Sequence, residues 1–259
     1  MRETPEALFQ FSIKSLYDLL PTPQNKNKWF RTDQYSCHLC SGSGTLEHIL
    51  SGCKVALSQG RYSWRHDRVL RELSFWIDEK RKVINNSPWK RRAEIKFVKP
   101  GEKSKPASPV TPQSFLKIAR DWKIQVDLPG SRVTIPIDIA VTAQRPDIVI
   151  SSEAVKQLFL IELTVPIEGR SEISSELKAA KYEQGIAEAA LMKGWKTSIY
   201  PVEVGCRGYP ASTMSRLIGD IGYSGRQRRS ILAKLGRTAE ECSMQIWKCS
   251  QYRQWGEKA

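Results

Sequence analysis

Arg145-Pro-Asp-Ile-Val-Ile-Ser-Ser152, followed by Leu158-Phe-Leu-Ile-Glu-Leu-Thr-Val-Pro166, decides the fold. Each stretch is a short apolar run with no polar face, as expected of strands packed on both sides. Each also carries an acid: Asp147 opens the first run and Glu162 sits inside the second. A carboxylate amid Leu158, Phe159, Leu160, Ile161, Leu163 and Val165 is costly to bury unless it is paired or binds a metal. A helix-like segment follows, in which Lys178 and Tyr182 are four residues apart and so share a helical face.

The flanking sequence extends this pattern. Trp122, Ile124, Val126 and Leu128 alternate with polar residues, predicting a half-exposed strand, and Pro129-Gly130 turns the chain. Val133, Ile135, Ile137 and Ile139 predict a second strand. The run from Asp147 to Ile150 starts a third, and Leu158 to Val165 a fourth, central one. Ser171 to Met192 reads as a long helix with Ile173, Leu177, Ala180, Ala187 and Leu191 as its core stripe. Thr197 to Val204 is a further strand, and Ser212 to Trp255 is mostly helical and basic, with Arg226, Arg228 and Arg229 at one helix start. This order predicts an α+β core with a mixed sheet flanked by helices.

Upstream lies Cys37-x2-Cys40-x7-His48-x4-Cys53. Two cysteines two apart can wrap a tetrahedral ion from one turn, and thiolates with an imidazole suit zinc. Four ligands leave no open position, so the predicted zinc is structural. His38 is a rival ligand that points away in such a turn. Cys206, Cys242 and Cys249 lack ligand spacing and are expected to be packed thiols. Ala7 to Leu20 predicts a short amphipathic helix stopped by Pro21 and Pro23.

The formal charge is +14, with a pI near 9.6, which favours an anionic partner, most plausibly nucleic acid. The charge is uneven: residues 51–100 hold 13 Lys and Arg against 5 Asp and Glu, a net of +8, whereas residues 151–200 hold 6 against 7, a net of −1. Residues 61–84 have a helical apolar period through Tyr62, Val69, Leu70, Leu73, Trp76, Ile77 and Val83. Arg65, His66, Arg68 and Arg71 there, with Lys90, Arg91 and Arg92 beyond, are the expected nucleic-acid contacts. An ordinary amphipathic helix with snorkelling bases is the competing reading. No apolar run reaches the ~18 residues of a membrane span, and the N-terminus lacks a secretory pattern. Together these features divide the chain into a connector (1–35), a zinc knuckle (36–55), a basic helical segment (56–98), a linker or loop (99–113), a core (114–208) and basic C-terminal helices (209–259).

Neighbouring strands can bring Asp147 and Glu162 together, and oxygen ligands of this kind suit Mg²⁺ or Mn²⁺. Such an ion activates water and neutralises a phosphodiester under attack. Lys178 could orient the water or steady the growing charge, and Tyr182 could hold the lysine or touch the phosphate.

Pro146-Asp147-x14-Glu162 followed by Lys178-x3-Tyr182 resembles the restriction-like endonuclease of site-specific non-LTR retrotransposons, within the wider PD-(D/E)xK nuclease superfamily. In that family a Cys-Cys-His-Cys knuckle precedes the nuclease, as Cys37, Cys40, His48 and Cys53 do here. Arg65-His66-Asp67 resembles the stretch that follows the family's knuckle, and Ser15-Leu16-Tyr17-Asp18 to Trp29 resembles its connector from the polymerase. The usual superfamily lysine, two residues after the second acid, is replaced here by Thr164, and the retrotransposon branch uses a lysine on the next helix, which matches Lys178.

The resemblance implies a Mg²⁺- or Mn²⁺-dependent endonuclease with a structural Zn²⁺, acting in the nucleus. It would nick target DNA to prime reverse transcription, with an upstream reverse transcriptase in the intact element and element RNA as a further partner. Asp147, Glu162, Lys178 and Tyr182 would be its catalytic residues. The chain would then be the C-terminal part of an element protein, or a truncated or domesticated copy. The alternative is a non-catalytic nucleic-acid-binding module with a decayed nuclease fold.

Overall fold

The apolar run carrying Glu162 forms an inner strand of a four-stranded mixed sheet. The computed structural model describes residues 5–88, 114–168, 180 and 182–255. The strands are β1 (Lys123–Val126), β2 (Ile148–Ser152), β3 (Gln157–Thr164) and β4 (Lys196–Glu203), in spatial order β1-β2-β3-β4. β1 and β2 are antiparallel, as are β2 and β3, whereas β3 and β4 are parallel. A parallel neighbour requires a crossover, and the chain between β3 and β4 supplies it.

β3 is buried along nearly its whole length. Phe159, Ile161 and Leu163 face one core and Leu158 and Leu160 the other, as strand alternation requires. The first core is covered by three helices: α4 (Arg61–Asn85), α6 (Ser212–Ile221) and α7 (Gly225–Lys248). Phe159 packs there against Phe115, ring centroids 4.1 Å apart, and against buried Trp122, whose indole donates to Leu116 O at 2.6 Å. The second core holds Val133, Ile135, Ile139, Val149, Tyr182, Ile186, Ala190 and Trp195. Its helical part is a wide turn over Glu183–Ala187 running into α5 (Glu188–Met192).

A third cluster ties the N-terminal part on. α1 (Pro5–Leu16) gives Leu8 and Phe11, the knuckle gives Leu46, Ile49 and Leu50, and the end of α7 gives Met244 and Ile246. α2 (Pro23–Phe30) starts at Thr22, whose hydroxyl accepts from Asn25 N at 3.2 Å. The short α3 (Lys54–Ser58) follows the knuckle.

Three expectations are corrected. The predicted strand over 133–139 does not form. Val133, Ile135 and Ile139 are buried but Ile137 is 77% exposed, so the alternation breaks: Pro136 has no N–H to give a ladder, and the carbonyl of Pro136 turns the chain by accepting from Ile139 N and Ala140 N. Side chains satisfy the local amides instead: Asp127 Oδ1 takes Val133 N at 3.1 Å, and Gln125 Oε1 takes Thr134 N at 2.9 Å. β1 ends at Val126, because Leu128 and Ser131 exchange hydrogen bonds across the Pro129-Gly130 turn, where Gly130 has φ +87°. The stripe predicted through Ala180, Ala187 and Leu191 is shifted: Tyr182, Ile186 and Ala190 face the sheet, while Leu191 is 68% exposed. Ile173 and Leu177 lie outside the described residues. Among the described residues no helix is long and apolar enough to cross a membrane.

Candidate functional site

The knuckle forms around its glycines. Cys37 N donates to Gly42 O at 2.8 Å, and Ser36 bridges to Ser43, closing a tight loop. A Cβ at Gly44 would sit 2.3 Å from Tyr35 O, so the chain can pass there only as glycine. The loop brings the ligand atoms of Cys37, Cys40, His48 and Cys53 within 4.8 Å of one another. Cys40 Sγ lies 3.0 Å from His48 Nε2, and Cys37 Sγ 3.9 Å from Cys53 Sγ. Three thiols and an imidazole in this arrangement can hold a zinc ion. His38 turns away to Gln34, 2.7 Å from its amide. Tyr62 on α4 braces the end of the knuckle, accepting from Cys53 N at 3.1 Å and donating to Ile49 O at 2.9 Å. Cys206 and Cys242 are buried thiols outside this cluster, each pushed up to about 11 by burial.

The acids lie at one end of the sheet. β1 and β2 pair Val126 with Ile148, and β2 and β3 pair Ile148 with Ile161. One residue further in each register, Asp127 stands opposite Asp147 and Asp147 opposite Glu162. Asp127 N donating to Asp147 O at 2.8 Å continues the ladder to that row. Directly opposed residues share a face, and for Glu162 it is the face of Leu160 and Tyr182.

Glu162 is 8% exposed. Its Oε2 accepts from the Tyr182 phenol at 2.9 Å, and that phenol also lies 3.2 Å from the Arg145 carbonyl. Burial, then the charges of Glu162, Asp147 and Asp127, raise the Tyr182 pKa well above the ordinary phenol value. Tyr182 is therefore a donor, fixed against the acid row.

Asp147 is held from the opposite side. Its Oδ2 accepts from Leu163 N at 2.7 Å and lies 3.3 Å from His66 Nε2. His66 Nε2 is also 3.2 Å from Leu163 O, and its Nδ1 is 3.2 Å from Asp67 Oδ1. Burial opposes protonation of the ring, but hydrogen bonds and charge from Asp147 and Asp67 outweigh it and lift the pKa to about 10. Both ring nitrogens face oxygens that only accept, so both carry a proton. Near the same sheet end, Thr164 Oγ1 and Glu203 Oε1 are buried with no hydrogen-bond partner, on residues paired across β3 and β4.

The basic helix divides into two faces. Arg65 was expected to touch phosphate, but it is 2% exposed. Its guanidinium donates to Ser243 Oγ and to Val165 O, both at 3.1 Å, and packs 5.5 Å from the Tyr62 ring centroid. It locks α4 to α7 and to the exit of β3. The reason is helical phase: Arg61 and Arg65 continue the buried line of Val69, Leu73 and Ile77. His66 likewise turns to Asp147 instead of outward. Arg68 and Arg71 are exposed and remain available. Lys90, Arg91, Arg92 and Lys178 lie outside the described residues.

Sequence reasoning missed Asp127, which reads as one polar position of an alternating strand, and the role of His66, since a contact from a helix 81 residues upstream of Asp147 leaves no local signal. A scan against known protein families finds no match, and a search of curated proteins finds none either.

Proposed function

We propose that this chain is a metal-dependent DNA endonuclease module of the restriction-like, PD-(D/E)xK type, with a structural zinc knuckle, as its resemblance to non-LTR retrotransposon nucleases implies. The observation that carries the reading is the transverse row of Asp147 and Glu162 at one end of a mixed sheet, with Tyr182 from the following helical segment hydrogen-bonded to Glu162. Carboxylates at opposed positions of two inner strands are the kind of oxygen ligand that suits Mg²⁺ or Mn²⁺.

Asp147 and Glu162 would hold the ion, which when bound supplies an activated water and neutralises charge on the phosphodiester. Tyr182 fixes the rotamer of Glu162 by donating to its Oε2. Lys178, four residues before Tyr182 in sequence, would supply the ammonium absent at Thr164. Arg68 and Arg71 would contact the DNA backbone. The knuckle, sharing a core with α1 and α7, would hold Zn²⁺ through Cys37, Cys40, His48 and Cys53. Target DNA, element RNA and an upstream reverse transcriptase would be partners in an intact element.

Supercoiled plasmid incubated with the full chain tests this directly. Nicked circles are expected with Mg²⁺ or Mn²⁺ and none in chelator. DNA binding without nicking under any metal would establish the non-catalytic binding module instead.

A further inference from the structure

We infer that His66 is a positioning residue for Asp147, fixing which carboxylate oxygen is offered to a divalent cation; this rests on the metal-site reading above. Among the described residues, the hydrogen bonds that reach the Asp147 carboxylate both fall on Oδ2, from Leu163 N at 2.7 Å and from His66 Nε2 at 3.3 Å. Tying one oxygen from two directions sets the plane of the carboxylate. Oδ1 is then the oxygen that faces a cation, as a one-oxygen ligand with a fixed direction.

The imidazole is itself fixed. Nε2 is shared with Leu163 O at 3.2 Å, and Nδ1 is 3.2 Å from Asp67 Oδ1, so the ring cannot rotate without losing contacts at both ends. Asp67, His66 and Asp147 therefore form a continuous line from α4 to the end of β2. The strand backbone takes part as well, because Leu163 offers both its N–H and its C=O to this line, next to Glu162. A displacement of α4 would thus be felt at both acids. Outer partners of this kind orient metal-binding carboxylates, and their loss typically weakens metal binding about 10–100-fold.

A mere strut between helix and sheet makes a different demand from a positioning donor. A strut needs bulk and any hydrogen bond, whereas positioning needs a donor where Nε2 stands. Glutamine can place its amide near the Nε2 position, and asparagine near the Nδ1 position only. The test is Mn²⁺ binding to the full chain without DNA, followed by electron paramagnetic resonance, for wild type, His66→Gln and His66→Asn. His66→Gln is expected to stay near wild type, and His66→Asn to bind about tenfold more weakly or worse. The Mg²⁺ concentration for half-maximal nicking should move in the same order, while melting in chelator is alike for the two variants. Equal Mn²⁺ affinity in all three proteins would overturn the inference and leave the metal site intact. A wild type that neither binds Mn²⁺ nor nicks would remove the metal-site reading, and the positioning role with it.

Discussion

Tyr182 and His66 secure the two acids from opposite sides, and each makes a separate prediction. Replacing Tyr182 with Phe keeps the ring in the second core but leaves Glu162 Oε2 without its phenol donor. A hydrogen bond to a charged group contributes about 1.5–3 kcal/mol, so Tyr182→Phe should lose roughly that in denaturant unfolding in chelator. Unchanged stability would mean that the phenol is not what accommodates the buried acid. For His66 the folded pKa, about 10, lies above the unfolded value of about 6.5. Its contribution is therefore fully present below about pH 6.5 and is lost as pH rises through about 10. In chelator, wild type should lose its stability advantage over His66→Gln across that window. A constant difference would show that the ring is not charged in the fold. At this scale the sequence spoke unevenly. Asp147, Glu162 and Tyr182 stood out because acids and a tyrosine at those spacings need a reason. Asp127 and His66 did not, because their roles come from register and from a distant helix.

Among the elements, α4 carries the sharpest lesson. Its span was legible from the period of Val69, Leu73 and Ile77, and it runs from Arg61 to Asn85. The division of its arginines was misread, although counting back by four from Val69 reaches Arg65 and Arg61. The charge of those residues masked their phase. The consequence is a divergence between variants. Arg68→Ala with Arg71→Ala should flatten the slope of log DNA affinity against log salt by about 0.9 per lost phosphate contact. Arg65→Met should leave that slope alone and instead destabilise the fold by about 1.5–3 kcal/mol, as Val165 O and Ser243 Oγ lose a charged donor. The opposite assignment of effects would place Arg65 on DNA. At residues 133–139 the alternation reported burial only for Val133, Ile135 and Ile139; Ile137 is turned out, and Pro136 and the side-chain caps on the local amides decided against a strand. Alternation does not read whether the backbone has a partner.

For the whole molecule, the Cys-Cys-His-Cys loop, the mixed sheet and α4 are mechanically joined. Ile49 and Leu50 of the knuckle share a core with Met244 and Ile246 of α7, and Tyr62 of α4 bonds the knuckle's backbone. Purified protein should hold about one zinc per chain. Its removal by chelator should open residues 36–58 to hydrogen exchange and loosen α1, while β2 and β3 stay protected. Protein free of zinc, or exchange unchanged by chelator, would contradict this. The mixed α+β class and the Cys-Cys-His-Cys cluster were readable in order and spacing. The place of Asp127 in the row of acids was not, because it needs the β1–β2 and β2–β3 registers together.

The most direct test of the central claim is single-turnover nicking of supercoiled DNA by wild type, Asp147→Asn and Glu162→Gln, at protein concentrations matched for DNA binding. The acid-row account predicts metal-dependent nicking by wild type and a loss of about 100-fold or more in each variant, with DNA affinity retained. Either variant nicking at the parental rate would contradict it.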